Sequence, residues 1–163
     1  MSYTATALCR TGSNWVGHDV DLDETEDIDG LIDLLRELQG SAQLLILFLE
    51  EDDEYVAVVR LTGDDDAQVF VSDSRVLFSR SVAARVLGED LAVPESNEDD
   101  EDDESGRPEV QPAGEVGLLV DLGIDADALL QLCAEEGQLP SDVIYTLCEK
   151  LGCVDALEAV RGL

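Results

Sequence analysis

Two apolar runs dominate the chain, Leu44-Leu-Ile-Leu-Phe-Leu49 and Tyr55-Val-Ala-Val-Val-Arg-Leu61, with the acids Glu50-Glu-Asp-Asp-Glu54 between them. Runs of this length and composition read as paired strands, here at about 43–50 and 54–61. Both faces of the pair are apolar, so both need cover. Residues 3–10 and 15–22 alternate instead, on either side of Thr11-Gly-Ser-Asn14. With Arg10 opposite Trp15, the residues Tyr3, Ala5, Ala7 and Cys9 share a face with Val16, His18, Val20 and Leu22. Thr4, Thr6, Asp19 and Asp21 fall on the other face. This is the period of a half-buried antiparallel hairpin. Ile28, Leu31, Ile32, Leu35 and Leu38 recur at helical spacing. The acids of Asp23-Glu-Thr-Glu-Asp27 suit the N-terminus of that helix, and Gly40 its end. Ala67 to Ser72 predicts a further strand after the Thr62-Gly-Asp-Asp-Asp66 turn. Ser72-Asp-Ser74 can cap a second helix through Val76, Leu77, Ala83, Ala84 and Leu87, with Gly88 after it.

The predicted order is β-β-α-β-β-β-α. It implies an α+β fold, a five-stranded antiparallel sheet with its helices on one face, over residues 1–93. That order resembles the longin and roadblock layout, a scaffold used mostly for protein contacts. Residues 94–114 form an acidic linker bracketed by Pro94, Gly106, Pro108, Pro112 and Gly114. Its run of like charges has nothing to bury, which predicts disorder. Residues 115–163 form a small helical module. Leu118, Leu119 and Leu122 precede Gly123, Asp125 can cap the next helix, and Pro140 opens another that ends at Gly152. About fifty residues are marginal alone, so this module is expected to dock on the sheet, a second copy or a partner. The sheet supplies a motive. Two helices cover one face of the Leu44–Leu61 pair, and the other face needs the C-terminal helices or a second chain.

Charge narrows the partners. The chain has 163 residues, 39 acidic and 9 basic, for a net charge of −30. Such a field repels phosphate backbones and anionic membranes, so direct nucleic-acid binding is not expected. A protein with a basic surface is the natural complement. Met1-Ser-Tyr-Thr-Ala carries no basic-plus-apolar signal, and Leu44–Leu49 is far too short to span a bilayer. The expected location is cytoplasmic, in keeping with a cysteine set (Cys9, Cys133, Cys148, Cys153) that forms no disulfide framework.

The residues carry no catalytic signature. A zinc deaminase needs H-x-E and P-C-x-x-C; here His18 is the only histidine and is followed by Asp19 and Val20. Cys148 and Cys153 lie five apart with no histidine near. Cys9, Cys133 and Cys148 read as small core residues, and Cys153, after Gly152, as partly exposed. His18 reads as a satisfied histidine on an apolar strand face. Asp19-Val-Asp-Leu-Asp23 starts like a calcium loop but places Glu24 at the sixth position and Gly30 at the twelfth. Glu50–Glu54 and Asp64–Asp66 read as solvated turn acids rather than a magnesium site. No glycine-rich loop is followed by lysine; Lys150 is the one lysine present. Trp15, Tyr3 and Tyr55 read as core or hairpin aromatics, with Arg10 stacked on Trp15. The expectation is a protein without catalytic, cofactor or metal residues.

Leu45-Ile-Leu-Phe-Leu-Glu-Glu-Asp-Asp-Glu-Tyr-Val-Ala-Val-Val-Arg60 resembles the tRNA adenosine deaminase-associated proteins of actinobacteria. The likeness extends to Trp15–Leu22, Val69–Asp73, the acidic linker, Leu132–Pro140 and Leu151–Cys153. It implies a non-catalytic accessory or regulatory role beside a tRNA adenosine deaminase, whose basic surface the −30 charge complements. It carries over no catalytic or binding residues. The candidate partner-binding tract is Glu98, Asp99, Asp100, Glu101, Asp102, Asp103 and Glu104, which can mimic phosphate and compete with tRNA. Two alternatives stand beside it. One is a self-associating acidic module, such as a homodimer, of unrelated role. The other is an enzyme with a cryptic metal-dependent site among the turn acids.

Overall fold

The structure, a computed structural model, describes residues 3–51, 54–63, 67–73, 82–87, 113–134 and 139–161. Its N-terminal elements are β1 (Tyr3–Thr11), β2 (Asn14–Asp19), α1 (Ile28–Gln39), β3 (Leu44–Glu51), β4 (Tyr55–Thr62), β5 (Gln68–Val71) and α2 (Val82–Leu87). After them come β6 (Ala113–Gly114), α3 (Ala126–Ala134), α4 (Pro140–Leu151) and α5 (Val154–Arg161). The α+β fold and the β-β-α-β-β-β-α order are as expected. The strands lie in the order β2-β1-β3-β4-β5-β6, each neighbour antiparallel. Five strands make the expected antiparallel sheet, and the two-residue β6 adds to the β5 edge.

The register of the first hairpin follows the alternation. Arg10 faces Trp15 and Cys9 faces Val16, with Gly12 at φ +65° in the turn. β2 and β3 both run antiparallel to β1, which lies between them. Their connection must therefore cross over β1, and α1 is that crossover. The Asp27 carboxylate accepts the Gly30 N–H at 2.8 Å, and Gly40, at φ +54°, returns its N–H to the Arg36 carbonyl.

β3 is buried along its whole length. It sits between two apolar layers, which is why its sequence shows no alternation. One layer holds Ala5, Ala7, Cys9, Leu45, Leu47, Leu49, Ala57 and Val59 against Leu31 and Leu35 of α1 and Val82, Ala83 and Val86 of α2. The other holds Leu8, Ile46, Phe48, Val58 and Phe70 against Leu129 of α3, Ile144 and Leu147 of α4 and Leu157 of α5. The C-terminal helices thus cover the face that α1 and α2 leave open, and a second chain is not needed to cover it. Pairing begins at Ala113, which meets Val71, and the Glu115 N–H reaches the Val69 carbonyl at 2.7 Å. The expected start of the second helix near Ser74, and most of the expected linker, lie outside the described residues.

Candidate functional site

The acidic tract Glu98–Glu104 lies outside the described residues, as do Asp64–Asp66. Asp52 and Asp53 also lie outside them. Cys9, Cys148 and Cys153 are buried thiols, and Cys133 is a half-buried one. Cys153 is 1% exposed, inside the C-terminal apolar layer, rather than partly exposed. Burial pushes the Cys133 thiol up to about 11 and raises that of Cys9. Thiols so shifted are poor nucleophiles at neutral pH. His18 is half-buried on β2, opposite Ala7. Among the described residues, no three His, Cys, Asp or Glu side chains converge as metal ligands. No described helix is long and apolar enough to cross a membrane.

Of the expected turn acids Glu50–Glu54, Glu50 and Glu51 instead close β3 and are buried. Glu54 is exposed, but Glu51 is only 5% exposed and accepts the Tyr55 hydroxyl at 2.7 Å and the Val82 N–H at 2.9 Å. The Tyr55 oxygen in turn accepts the Ala83 N–H at 3.1 Å. This pair holds the first turn of α2 to the sheet. In the sequence Glu51 reads as a turn acid because it stands in a run of acids. The signal against that reading was its place at the strand end, where the pleat turns it under α2.

Arg36, Arg60 and Arg85 donate to groups of the fold. Arg60, 6% exposed, grips Asp121 with two nitrogens at 2.5 and 2.8 Å and donates to the Leu118 carbonyl at 2.5 Å. Its Nε donates to Thr62 Oγ1 at 2.9 Å. This guanidinium ties β4 to the 3-10 turn Val120–Leu122 and holds the Asp121 carboxyl below the usual carboxylate range. Arg85 reaches from α2 to the Thr25 and Leu22 carbonyls at 2.8 and 2.6 Å. Arg36 donates to the Gly63 carbonyl at 3.1 Å, and Arg10 stacks 5.6 Å from the Trp15 ring centre. Arg36, Arg60 and Arg85 thus brace the fold, mostly through carbonyls, while every acid between Asp19 and Asp29 is exposed. The acidic field is therefore left facing outward.

Part of that exposed acid gathers at one end of β2. Tyr3, Thr4, Asp19, Asp21 and Asp23 line an open cleft of about 450 Å³. The Tyr3 hydroxyl accepts the Leu22 N–H at 2.7 Å and directs its proton to Asp23 at 3.0 Å and Asp21 at 3.3 Å. Desolvation, with the two carboxylates adding, pushes the phenol up to about 12, so it stays neutral. Beside the cleft, β2 forms an edge of the sheet, with Val16 55% exposed. Gly17 marks a close approach: a Cβ there would lie 2.8 Å from the Ala156 carbonyl oxygen of α5. An isolated glycine in a strand signals such an approach, but neither its partner nor the edge position of β2 is written in the local sequence.

This arrangement can hold basic surface by charge. No curated protein and no solved structure matches the chain. A family model described as Rv3753c-like tRNA adenosine deaminase-associated protein matches residues 3–154, nearly the whole chain, and the chain belongs to that family.

Proposed function

We propose that this protein is a non-catalytic accessory partner of a tRNA adenosine deaminase, docking on basic surface that the deaminase presents to tRNA. The carrying observation is the division of charge, with Arg36, Arg60 and Arg85 bonded within the fold and every acid from Asp19 to Asp29 exposed, on a chain of net charge −30. An enzyme that holds tRNA needs positive surface for phosphates, and this chain is its electrostatic complement. The family description, which names association with the deaminase, supports the same partner. Buried thiols with raised pKa values agree with a non-catalytic role. The cytoplasm, where tRNA is modified, is the compartment this reading requires.

The acidic tract Glu98–Glu104 is the candidate phosphate mimic within this reading. It would compete with tRNA for the deaminase. Co-purification from native cells at low salt tests the partnership, and the deaminase is expected with the tagged chain. Its absence there would sink the reading. Deleting residues 95–104 is expected to relieve competition with tRNA while the folded part stays intact. Unchanged competition would remove the tract from the account and leave the docking reading standing.

A further inference from the structure

We infer that the free edge of β2 is a docking strand for an extended basic segment of a partner protein, which adds to the sheet beside Trp15–Asp19. The inference rests on the accessory reading above for the partner's basic character, and it names the surface used.

The hydrogen-bond parity of the first hairpin fixes which groups are offered. The Val20 N–H bonds to the Ala5 carbonyl at 2.9 Å, and the register pairs His18 with Ala7 and Val16 with Cys9. In an antiparallel ladder bonded and non-bonded pairs alternate. Asn14, Val16, His18 and Val20 therefore bond inward to β1. Trp15, Gly17 and Asp19 turn their N–H and C=O groups outward, where no described strand follows β2. Six backbone groups on three alternate residues make a template for one more strand.

Edges of this kind are usually blunted by lysine, proline or a charge in mid-strand. Asn14-Trp-Val-Gly-His-Asp19 has no lysine or proline, and its outlying mid-strand side chain is the apolar Val16. α5 covers one face of β2 at Gly17. On the opposite face Val16 remains 55% exposed, open to the alternate side chains of an added strand.

Charge selects the occupant. The outward ladder runs into Asp19, and the cleft of Asp19, Asp21 and Asp23 lies at its end. Glu24, Glu26, Asp27 and Asp29 extend the exposed acids beyond it. A second copy of this chain would bring another −30 charge to the same edge, so self-pairing is disfavoured. A strand carrying lysine or arginine gains backbone hydrogen bonds along β2 and ion pairs at the cleft.

The test uses the full chain, isotope-labelled for amide NMR, and a synthetic peptide alternating lysine and valine. At low salt the peptide is expected to bind, to shift the Trp15, Gly17 and Asp19 amides and to slow their hydrogen exchange. A glutamate–valine peptide is expected not to bind. Val16→Lys, a surface change, is expected to abolish the effect with the rest of the spectrum intact. Asp19→Asn should weaken binding by up to about fivefold, the size of one exposed ion pair. Absence of lysine–valine binding at low salt would overturn the inference. So would binding that leaves these three amides unchanged, or that Val16→Lys does not affect. The same spectra with the deaminase separate this inference from the accessory reading. A bound deaminase that leaves the β2 amides untouched defeats the edge alone. A peptide that docks on β2 while the deaminase does not bind defeats the accessory reading alone.

Discussion

At the residue scale, Gly17 shows how one missing side chain positions a layer. A Cβ at this position would meet the Ala156 carbonyl oxygen at 2.8 Å and the Val160 side chain, and backbone cannot step aside as a flexible side chain can. Gly17→Ala is therefore expected to lift α5 off β2 and to cost about 1–3 kcal/mol, as overpacking does, read from the urea midpoint. An unchanged midpoint would show that α5 shifts freely. Tyr3 makes a second prediction. Its folded pKa, pushed up to about 12, lies above the ordinary phenol value of 10.0. A phenol with a raised folded pKa contributes stability that is present below its unfolded pKa and lost as pH rises through the folded one. Ultraviolet titration should show its phenolate near pH 12, a step that Tyr3→Phe removes. Asp121 has the opposite sign. Its pKa is depressed by Arg60, so its contribution is present above the ordinary carboxylate pKa and fades as pH falls through the folded value. The exposed Asp121 carboxylate is screened by solvent, so the larger effect belongs to Arg60. Arg60→Ala strips the Leu118 carbonyl of its donor and is expected to cost about 1–3 kcal/mol in equilibrium unfolding.

At the scale of elements, the hairpin register was legible because alternation leaves one consistent choice: a slip of one residue would turn Ala5, Ala7 and Cys9 out of the core. The end of α1 was legible from Gly40, and the start of α3 from Asp125, whose carboxylate accepts the Ala128 N–H at 2.8 Å. The two apolar faces of Leu44–Leu61 showed that two covers were needed. They did not show whose, because apolar surface is non-directional and a second chain would bury it as well. What settles the occupant is long-range geometry: Arg60 on Asp121, β6 on β5 and α5 on Gly17. The candidate interface was legible only as charge. Acids are visible in composition, but the inward use of Arg36, Arg60 and Arg85 depends on carbonyls brought near by the fold. Removing residues 115–163 would strip the cover from Ile46, Phe48, Val58 and Phe70. The truncated chain is expected to grow in mass with concentration by light scattering, while the full chain does not. A truncated chain that stays monomeric would contradict the assigned role of the C-terminal layer.

At the scale of the whole molecule, the two-sided core and the outward acids are one design. The sheet buries apolar side chains on both faces, so little apolar surface remains for a partner beyond local features such as Val16. Under the proposed function, recognition by charge is expected to give fast, salt-sensitive association and to disfavour nucleic acid. The family's description names association with a tRNA adenosine deaminase, which is the partner proposed above. The most direct measurement titrates the purified chain into the purified deaminase across a salt series. The account predicts a complex at low salt that weakens steeply as salt is added. No complex at low salt would contradict it, as would binding indifferent to salt.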